Sequence, residues 1–327
     1  MNNKMRRRIG MICSVMLMFC FSSGLAGTDN QAQKWMNLGY KAYDQGDYET
    51  AHKCFLQASE LGDLVALYNL GVMYENGLGV ERSADKALEF YRRAADKGHA
   101  EAQYQMAAIY LDGNWVKQSD EKAVEYLEMA SAQGHIDALY SLGYSYEYGI
   151  GIEQSFEKAA GCYELAAAGG HSWAQNHLGA LYETGDGVEQ SYELAAKYYR
   201  MAADQGDSYA QVNLGWLYKY GYGVEQSVEK AVALYQQAAE QGSWEAMCNL
   251  GGMYEDGDGV EQSYEKAVKY YQQAADLGEA WGQYHMGRMY QGGYGVKQSR
   301  DKAIEYLKLA AEQGIENANE LLIKMGQ

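Results

Sequence analysis

A repeat of 36 residues constrains this chain more than any other feature of its sequence. From residue 63 onward a leucine or methionine returns at this interval, at Leu70, Met106, Leu142, Leu178, Leu214, Leu250 and Met286. A fixed period of this size indicates stacked supersecondary units, because one unit alone is too small to bury its apolar face. The sequence therefore predicts a repeat array, within which the local motifs have to be interpreted.

Offsets counted from this recurring residue carry the same residue types in every copy. Tyrosine stands at +4 without exception and alanine at −4 in all but the last copy, so both share one helix face with the residue at zero. Glycine at +7 predicts the end of this helix, because glycine adopts the left-handed conformation without steric cost. Serine at +13 with an acid at +15 predicts the start of a second helix, and glycine at +28 predicts its end. Each copy is thus predicted to be an antiparallel αα-hairpin.

Four short motifs connect this pattern to a known family. The central copy contains LGxxY, GxGV, SxEKA and AAxxG, which begin at Leu214, Gly221, Ser227 and Ala238. These motifs resemble the Sel1-like repeat (SLR), a 36-residue relative of the tetratricopeptide repeat (TPR), over seven units from residue 63 to 314. The resemblance implies an all-α fold, a right-handed α-solenoid of stacked αα-hairpins. The stability of such an array is roughly additive over its repeats.

The chain is predicted to consist of four segments in one continuous array. Residues 1–26 are a predicted signal peptide, and residues 27–62 resemble a TPR and are predicted to cap the N-terminal end. Residues 63–314 are the seven repeats, and residues 315–327 are a predicted C-terminal capping helix. The N-terminal unit differs from the later ones because the short turn Gly46–Asp47 replaces the longer GxGV loop.

The first 26 residues have the pattern of a secretory signal. Lys4 and three arginines precede an apolar run from Ile9 to Phe21, and small residues lead to a predicted cleavage site after Ala26. The apolar run is shorter than the ~20 residues that a membrane span needs. A lipoprotein signal acylated at Cys20 is disfavoured, because bulky Phe19 stands where such signals need a small residue. We therefore expect an exported protein, periplasmic or secreted.

The charge of the chain argues against nucleic acid and anionic lipid as partners. The net charge is −17, and removal of the signal, with four basic residues and no acid, would make it −21. Binding to a phosphate backbone begins with neutralisation of the phosphates by basic residues, which this chain lacks in sufficient number. Cys54, Cys162 and Cys248 occupy different repeat offsets far apart in sequence, so a disulfide framework is not expected.

No motif in the sequence predicts catalysis, a cofactor or a metal. The GxGV loops follow a helix, whereas a dinucleotide fingerprint follows a strand. His99, His135 and His171 recur at offset −7, but equivalent positions of stacked helices lie at least ~8–10 Å apart, too far for shared ligation of a metal. We expect these histidines to stand at helix starts, and we expect the chain not to be an enzyme.

The resemblance to the TPR implies a concave groove lined by the first helix of each hairpin, at offsets −5, −2, +2, +5 and +6. Aromatic residues there are of the type that dominates binding hot spots, and neighbouring acids suit a basic or extended segment of another protein. The predicted partner-binding residues are Tyr68, Tyr104, Asp137, Tyr140, Tyr144, Glu147, Tyr148, Trp173, Glu183, Tyr209, Trp216, Tyr220, Trp281 and Tyr284.

Two alternatives to this prediction remain open. The aromatic residues could be partly exposed packing residues that stiffen the array. They could also contact sugar rings, in which case the chain would be a hydrolase or a glycan-binding or glycan-processing accessory protein. Salt separates the sugar from the basic partner, because only the charged interaction weakens as the salt concentration rises.

Overall fold

Seventeen helices and no strand make up the part of the chain that the structure, a computed structural model, describes, residues 29–327. The predicted signal peptide lies outside these residues. The chain divides into two compact units, one that extends to His171 and one that begins at Ser172. The structure therefore confirms the all-α prediction.

Unit one contains eight of these helices. They are α1 (Asp29–Asp44), α2 (Tyr48–Glu60), α3 (Leu64–Asn76), α4 (Ala84–Asp96), α5 (Ala100–Asp112), α6 (Asp120–Ser131), α7 (Ile136–Tyr148) and α8 (Phe156–Ala168). Consecutive helices pack in pairs, α1 on α2, α3 on α4, α5 on α6 and α7 on α8, which gives four hairpins.

Unit two contains four hairpins and a final single helix. Its helices are α9 (Ser172–Thr184), α10 (Tyr192–Ala203), α11 (Ser208–Tyr220), α12 (Val228–Glu240), α13 (Trp244–Asp256), α14 (Tyr264–Asp276), α15 (Ala280–Gly292), α16 (Arg300–Glu312) and α17 (Glu316–Lys324). No helix within residues 29–327 is long and apolar enough to cross a membrane.

The helix boundaries follow the residues that predicted them. In α12, for example, the Ser227 hydroxyl accepts a hydrogen bond from the Lys230 amide, which satisfies one of the free N–H groups of the first turn. Helix α11 ends at Gly221, whose φ of 74° is left-handed, and its amide donates to the Leu217 carbonyl. The serine at +13 and the glycine at +7 play these roles in both units.

Within a hairpin, a glycine at offset +1 fits against a tyrosine ring at +21. A Cβ added to Gly143 would lie 2.8 Å from ring carbons of Tyr163, and one added to Gly251 would lie 2.3 Å from a ring carbon of Tyr271. These distances are far below van der Waals contact, so the two helices approach closely only because the glycine lacks a side chain. The tyrosines concerned are almost fully buried and form the centre of each hairpin.

The tyrosine at +4 holds the same hairpin together from the other side. The ring of Tyr254 stacks on Tyr270 with centroids 5.8 Å apart, and the ammonium group of Lys266 lies 4.9 Å from its centroid. In unit one the ring of Tyr110 stacks on Tyr126, and the ammonium group of Lys122 lies over the Tyr110 ring. In both units the repeated tyrosines thus contribute packing and cation–π contact.

Candidate functional site

Two of the acids predicted to face a partner instead hold buried tyrosines. The Tyr163 hydroxyl donates to Glu147 at 2.5 Å in unit one, and Tyr199 donates to Glu183 at 2.6 Å in unit two. Glu147 and Glu183 stand at offset +5 and are half-buried. Their carboxylates therefore take part in the internal packing of their hairpins. They accept charge-assisted hydrogen bonds from the hydroxyls of buried tyrosines.

Three of the predicted tyrosines, all in unit one, are stacked on histidines of the following repeat. The ring centroids lie 5.4 Å apart for Tyr68 and His99, 4.8 Å for Tyr104 and His135, and 4.4 Å for Tyr140 and His171. Tyr68, Tyr104 and Tyr140 are only 6%, 3% and 7% exposed, so their contribution is mainly to packing. We refer to these three pairs as the Tyr–His row.

The histidines of this row also begin helices, as expected from the sequence. The Nδ1 atoms of His99 and His135 accept hydrogen bonds of 3.2 Å from the amides of Ala102 and Ala138. Because Nδ1 accepts, Nε2 of His135 carries the hydrogen and donates to Glu101 at 2.9 Å. Burial lowers the pKa of His99, because the charged imidazolium would lose its hydration.

Asp137, another predicted partner-binding residue, lies beside the last histidine of the row. Its carboxylate is 3.5 Å from Nε2 of His171, and its side chain remains 42% exposed. Tyr144 is 5% exposed, whereas Tyr148, whose ring centroid lies 4.5 Å away, is 51% exposed. In unit one, the predicted surface that a partner could reach therefore consists mainly of Tyr148 and Asp137.

Unit two leaves more of its predicted aromatic residues accessible. Tyr209, Tyr220 and Trp281 are exposed, and Trp173, Trp216 and Tyr284 are half-buried. Trp281 packs edge-on against Tyr284, with ring centroids 5.8 Å apart. Accessible aromatic rings of this kind suit binding to a partner better than the buried tyrosines of the Tyr–His row do.

Four of the aromatic residues of unit two form one continuous cluster, which we call the aromatic shelf. It consists of Tyr192, Trp216, Tyr220 and Tyr222. Tyr222 lies 5.0 Å from Tyr192, 5.1 Å from Trp216 and 6.0 Å from Tyr220 between ring centroids. Tyr220 is 50% exposed and Tyr222 is 41% exposed. The shelf lies at the end of α11 and the loop that follows it, against the start of α10.

The sequence analysis missed Tyr192 and Tyr222 because they stand at offsets +14 and +8, outside the TPR groove positions. The loop of one repeat returns to the second helix of the previous one, and a Cβ on Gly223 would lie 2.2 Å from the Tyr192 carbonyl carbon. A signal was nevertheless available, because tyrosine at +8, in Tyr222 and Tyr294, occurs where the preceding copy has tyrosine at +14, in Tyr192 and Tyr264.

Lys219 lies beside the shelf at offset +5, where four other copies have glutamate. Its ammonium group lies 3.1 Å from the Asp258 carboxylate and 5.6 Å from the Tyr220 ring centroid. The change from glutamate to lysine removes a hydrogen-bond acceptor from this surface and supplies a donor.

A second polar and aromatic cluster lies at the junction between the last two repeats. Arg288 donates to Glu255 at 2.9 Å, and His285 stacks on Tyr271 with centroids 4.3 Å apart. Burial, with a smaller contribution from Arg288, lowers the pKa of His285 from 6.5 to about 4. Since Glu255 also accepts from the Tyr271 hydroxyl, these groups satisfy one another.

The described residues contain little that points to reaction chemistry. Within residues 29–327 no three His, Cys, Asp or Glu side chains are grouped so that they could hold a metal ion. Burial raises the pKa of the Cys162 thiol to about 11 and that of Cys248 to about 12, so neither forms a reactive thiolate at neutral pH. The accessible groups are suited to binding.

Helical hairpins repeated in this way define a helical-repeat binding protein. A family model described as the Sel1 repeat matches eight segments, residues 36–63, 64–99, 100–135, 136–171, 174–207, 208–243, 244–279 and 282–315. The chain belongs to the Sel1 repeat family, and its fold is the α-solenoid of SLR proteins. Sel1 repeat proteins generally mediate protein–protein interaction, and scaffolds of this family are typically non-catalytic.

Two solved structures are similar over most of this chain. One is a protective antigen present in uropathogenic Escherichia coli strains and displaying an SLR fold, with 33% identity and a TM-score of 0.78; the match covers 90% of this chain and 66% of the antigen, just under two thirds of its length. The other is a Sel1 repeat protein from Oxalobacter formigenes, with 26% identity, a TM-score of 0.69, and coverage of 98% and 90%. No curated protein sequence matches the chain.

Proposed function

We propose that this protein is an exported, non-catalytic scaffold that recruits another protein through aromatic residues exposed on the first helices of its repeats. One observation carries the proposal: Tyr148, Tyr209, Tyr220 and Trp281 remain 41–51% exposed, whereas the tyrosines at +4 and +21 are used in packing. Large aromatic rings that the fold leaves in solvent are the usual anchors of a protein interface.

The charge of the chain favours a basic partner. With a net charge of −17 the protein attracts cationic segments over a distance and repels nucleic acid. The specific acids predicted for this role are partly occupied, because Glu147 and Glu183 accept hydrogen bonds from buried tyrosines. Charge therefore steers the encounter, and the exposed rings supply most of the contact energy.

Capture of the partner tests this function. A tagged wild-type chain and a Tyr148→Ala, Tyr209→Ala, Trp281→Ala variant are compared in capture from the native cell envelope, and bound proteins are identified by mass spectrometry. The variant is expected to lose the partner without a change in melting temperature, since anchors of this kind are often worth about 2 kcal/mol each. A matched control, Gln237→Ala with Gln273→Ala, changes exposed residues of second helices and is expected to bind normally.

The results that would contradict the proposal are equally definite. If the triple variant captures the same partner as the wild type, the exposed rings are not the recognition surface. If capture is unaffected by rising salt, the partner is not held by charge and the glycan alternative gains support.

Export has a separate test, because the predicted signal peptide at residues 1–26 lies outside the described residues. Protein purified from its native host is expected to begin near Gly27, as determined by N-terminal sequencing or intact mass. A chain that keeps Met1, or one acylated at Cys20, would contradict cleavage after Ala26.

A further inference from the structure

The complete aromatic shelf occurs at one place in the array and is not required by the fold. Its Tyr192–Tyr222 stack has a counterpart in Tyr264 and Tyr294, with centroids 5.2 Å apart, but that pair has Arg288 and Gly292 where the shelf has Trp216 and Tyr220. Where the shelf has Tyr220 and Tyr222, the preceding repeat has Thr184 and Asp186, and its first helix, Ser172–Thr184, has the same bounds in the 36-residue frame as Ser208–Tyr220. The rings of the shelf are therefore free to serve another purpose, and a contiguous exposed aromatic cluster marks an interaction site.

The polar groups of the shelf have hydrogen-bonding capacity to offer. The Trp216 indole N–H and the hydroxyls of Tyr220 and Tyr222 form no hydrogen bond with residues 29–327, in contrast to the buried Tyr199 and Tyr271, whose hydroxyls donate to glutamates. The indole is a donor only, and the hydroxyls can both donate and accept. With lysine in place of glutamate at offset +5, the shelf offers donors to a carbonyl group and lacks the carboxylate acceptor that four other copies have at this offset.

The charge of the shelf is balanced. Within the described chain, Lys219 is the single cationic side chain that lies over a shelf ring, and it is already paired with Asp258. An incoming lysine or arginine would meet this ammonium group beside Tyr220, and an incoming carboxylate would have to displace Asp258. The local chemistry therefore favours an uncharged ligand that packs on aromatic rings and accepts hydrogen bonds.

We propose that the aromatic shelf binds a proline-rich segment of a partner protein in the polyproline II conformation. Proline rings pack on aromatic side chains, and the backbone of such a segment presents carbonyl acceptors but, at each proline, no N–H donor. This composition matches a surface of rings edged by donors. An extended strand would also bring N–H groups, for which the shelf offers only its hydroxyl oxygens.

The ligand has to be another molecule, because the chain itself contains no proline. The inference rests on the proposed function, whose partner is an extended protein segment, and gives the chemistry of that segment at one place in unit two. It also adds Tyr192 and Tyr222 to the residues predicted from sequence to bind a partner.

Calorimetric titration of the full chain with a synthetic oligoproline peptide tests the inference. A peptide of about ten residues makes about three turns of the polyproline II helix. Tyr220→Thr and Tyr222→Asn introduce residues that other copies have at these offsets, Thr184 and Asn114, so both variants are expected to fold normally. Each is expected to weaken binding of the peptide by about tenfold or more.

A tyrosine outside the shelf provides the control. Tyr294 stands at the same offset as Tyr222 and is 46% exposed, but its ring stacks on Tyr264, with centroids 5.2 Å apart, and makes no ring contact with the shelf within the described chain. Tyr294→Asn is expected to leave oligoproline affinity unchanged. If it weakens binding of the peptide as much as Tyr222→Asn does, the site is not the shelf.

Two other probes give the outcomes that would overturn the inference. Binding of a length-matched oligolysine peptide in preference to oligoproline would show a cationic ligand, and binding of a soluble glucose oligomer would show a glycan platform. Absence of oligoproline binding would also refute the inference. None of these results decides the proposed function, which is judged by loss of the native partner in the Tyr148, Tyr209 and Trp281 variant.

Discussion

The two units use the same repeat but differ at the junction between one hairpin and the next. In unit one, His99 and His135 cap the first helices and stack on tyrosines at offset −2 of the preceding repeat. In unit two, Asp207 and Ser243 perform the capping with a side-chain oxygen. Where Asp207, Ser243 or Glu279 stands at the cap position, the preceding copy has no tyrosine at offset −2, whereas Ile315 at the last junction follows Tyr284.

This difference shows how a repeat protein separates packing from recognition. At offset −2, three of the four repeats of unit two have Asn176, Val212 and Cys248 in place of the tyrosines of the Tyr–His row, and the last repeat has the half-buried Tyr284. Aromatic residues of unit one are therefore largely buried at the junctions, whereas unit two leaves rings exposed at −5, +6 and +8. Surface aromatic content alone does not identify a binding site, because the offset decides whether a ring is covered.

The largest effect is expected where the units do not differ. Leu142 in unit one and Leu214 in unit two occupy offset zero and are 6% and 3% exposed. Leu142→Ala and Leu214→Ala are each expected to lower the free energy of unfolding of their own repeats by about 2–5 kcal/mol, as buried large-to-small changes. Hydrogen exchange should show loss of protection centred on the mutated repeat. A uniform loss over the whole chain, or a cost in one unit only, would contradict a shared repeat core.

Acid is expected to destabilise unit two through His285. At pH values above the ordinary pKa of 6.5 the imidazole is neutral in the folded and unfolded chain, and it adds no penalty. Below pH 6.5 the imidazole of His285 binds a proton in the unfolded chain. In the folded chain it stays neutral until the pH approaches its lowered pKa of about 4. Each pH unit in this window lowers the free energy of unfolding by about 1.4 kcal/mol, so the total decrease is about 3 kcal/mol.

Hydrogen exchange of α15 between pH 7 and pH 4, corrected for the intrinsic exchange rate, measures this loss. His285→Gln is expected to remove most of the pH dependence of α15 while leaving that of α5, where His99 shifts in the same direction, unchanged. An α15 that remains equally sensitive to acid in the variant would show that other groups titrate there.

A smaller difference is expected between the two kinds of helix cap. Ser243→Ala should cost about 1 kcal/mol, the usual value of an N-cap. His135→Ala should cost about 2 kcal/mol, because it removes the stack on Tyr104 and the contact with Glu101 as well as the cap. His135→Asn keeps a capping oxygen without the ring and should recover about half of the loss. Equal costs for Ser243→Ala and His135→Ala would mean that the Tyr–His row adds nothing beyond capping.

Much of the fold could be predicted from the sequence, because glycine, serine and alanine at fixed offsets determine helix ends and close packing. The accessible part of the site could not. Offset −2 was assigned to a groove by resemblance to the TPR, but Tyr104 there is covered by His135 of the next repeat. The sequence could have indicated this contact, because each of the three histidines at offset −7 follows a copy with tyrosine at offset −2. Tyr222 was missed because it reaches Tyr192 only through the return of the loop at Gly223, which no helical offset describes.

The smallest effect concerns the hydroxyl of the central tyrosine. Tyr163→Phe in unit one is expected to cost about 1.5 kcal/mol, because the half-buried Glu147 carboxylate loses a hydrogen-bond donor. Tyr235→Phe in unit two is expected to cost less than about 0.5 kcal/mol, since Lys219 stands where Glu147 stands in unit one and offers no acceptor.

Urea unfolding of these variants measures both costs, and a third variant sharpens the comparison. Lys219→Glu is expected to give the Tyr235 hydroxyl the acceptor that other repeats provide, so Tyr235→Phe in that background should cost as much as Tyr163→Phe. The same change returns an acceptor to the shelf and breaks the pair with Asp258, so it should also weaken oligoproline binding. If Tyr235→Phe remains neutral in the Lys219→Glu background, the pairing of offsets +5 and +21 depends on more of the hairpin than these two side chains.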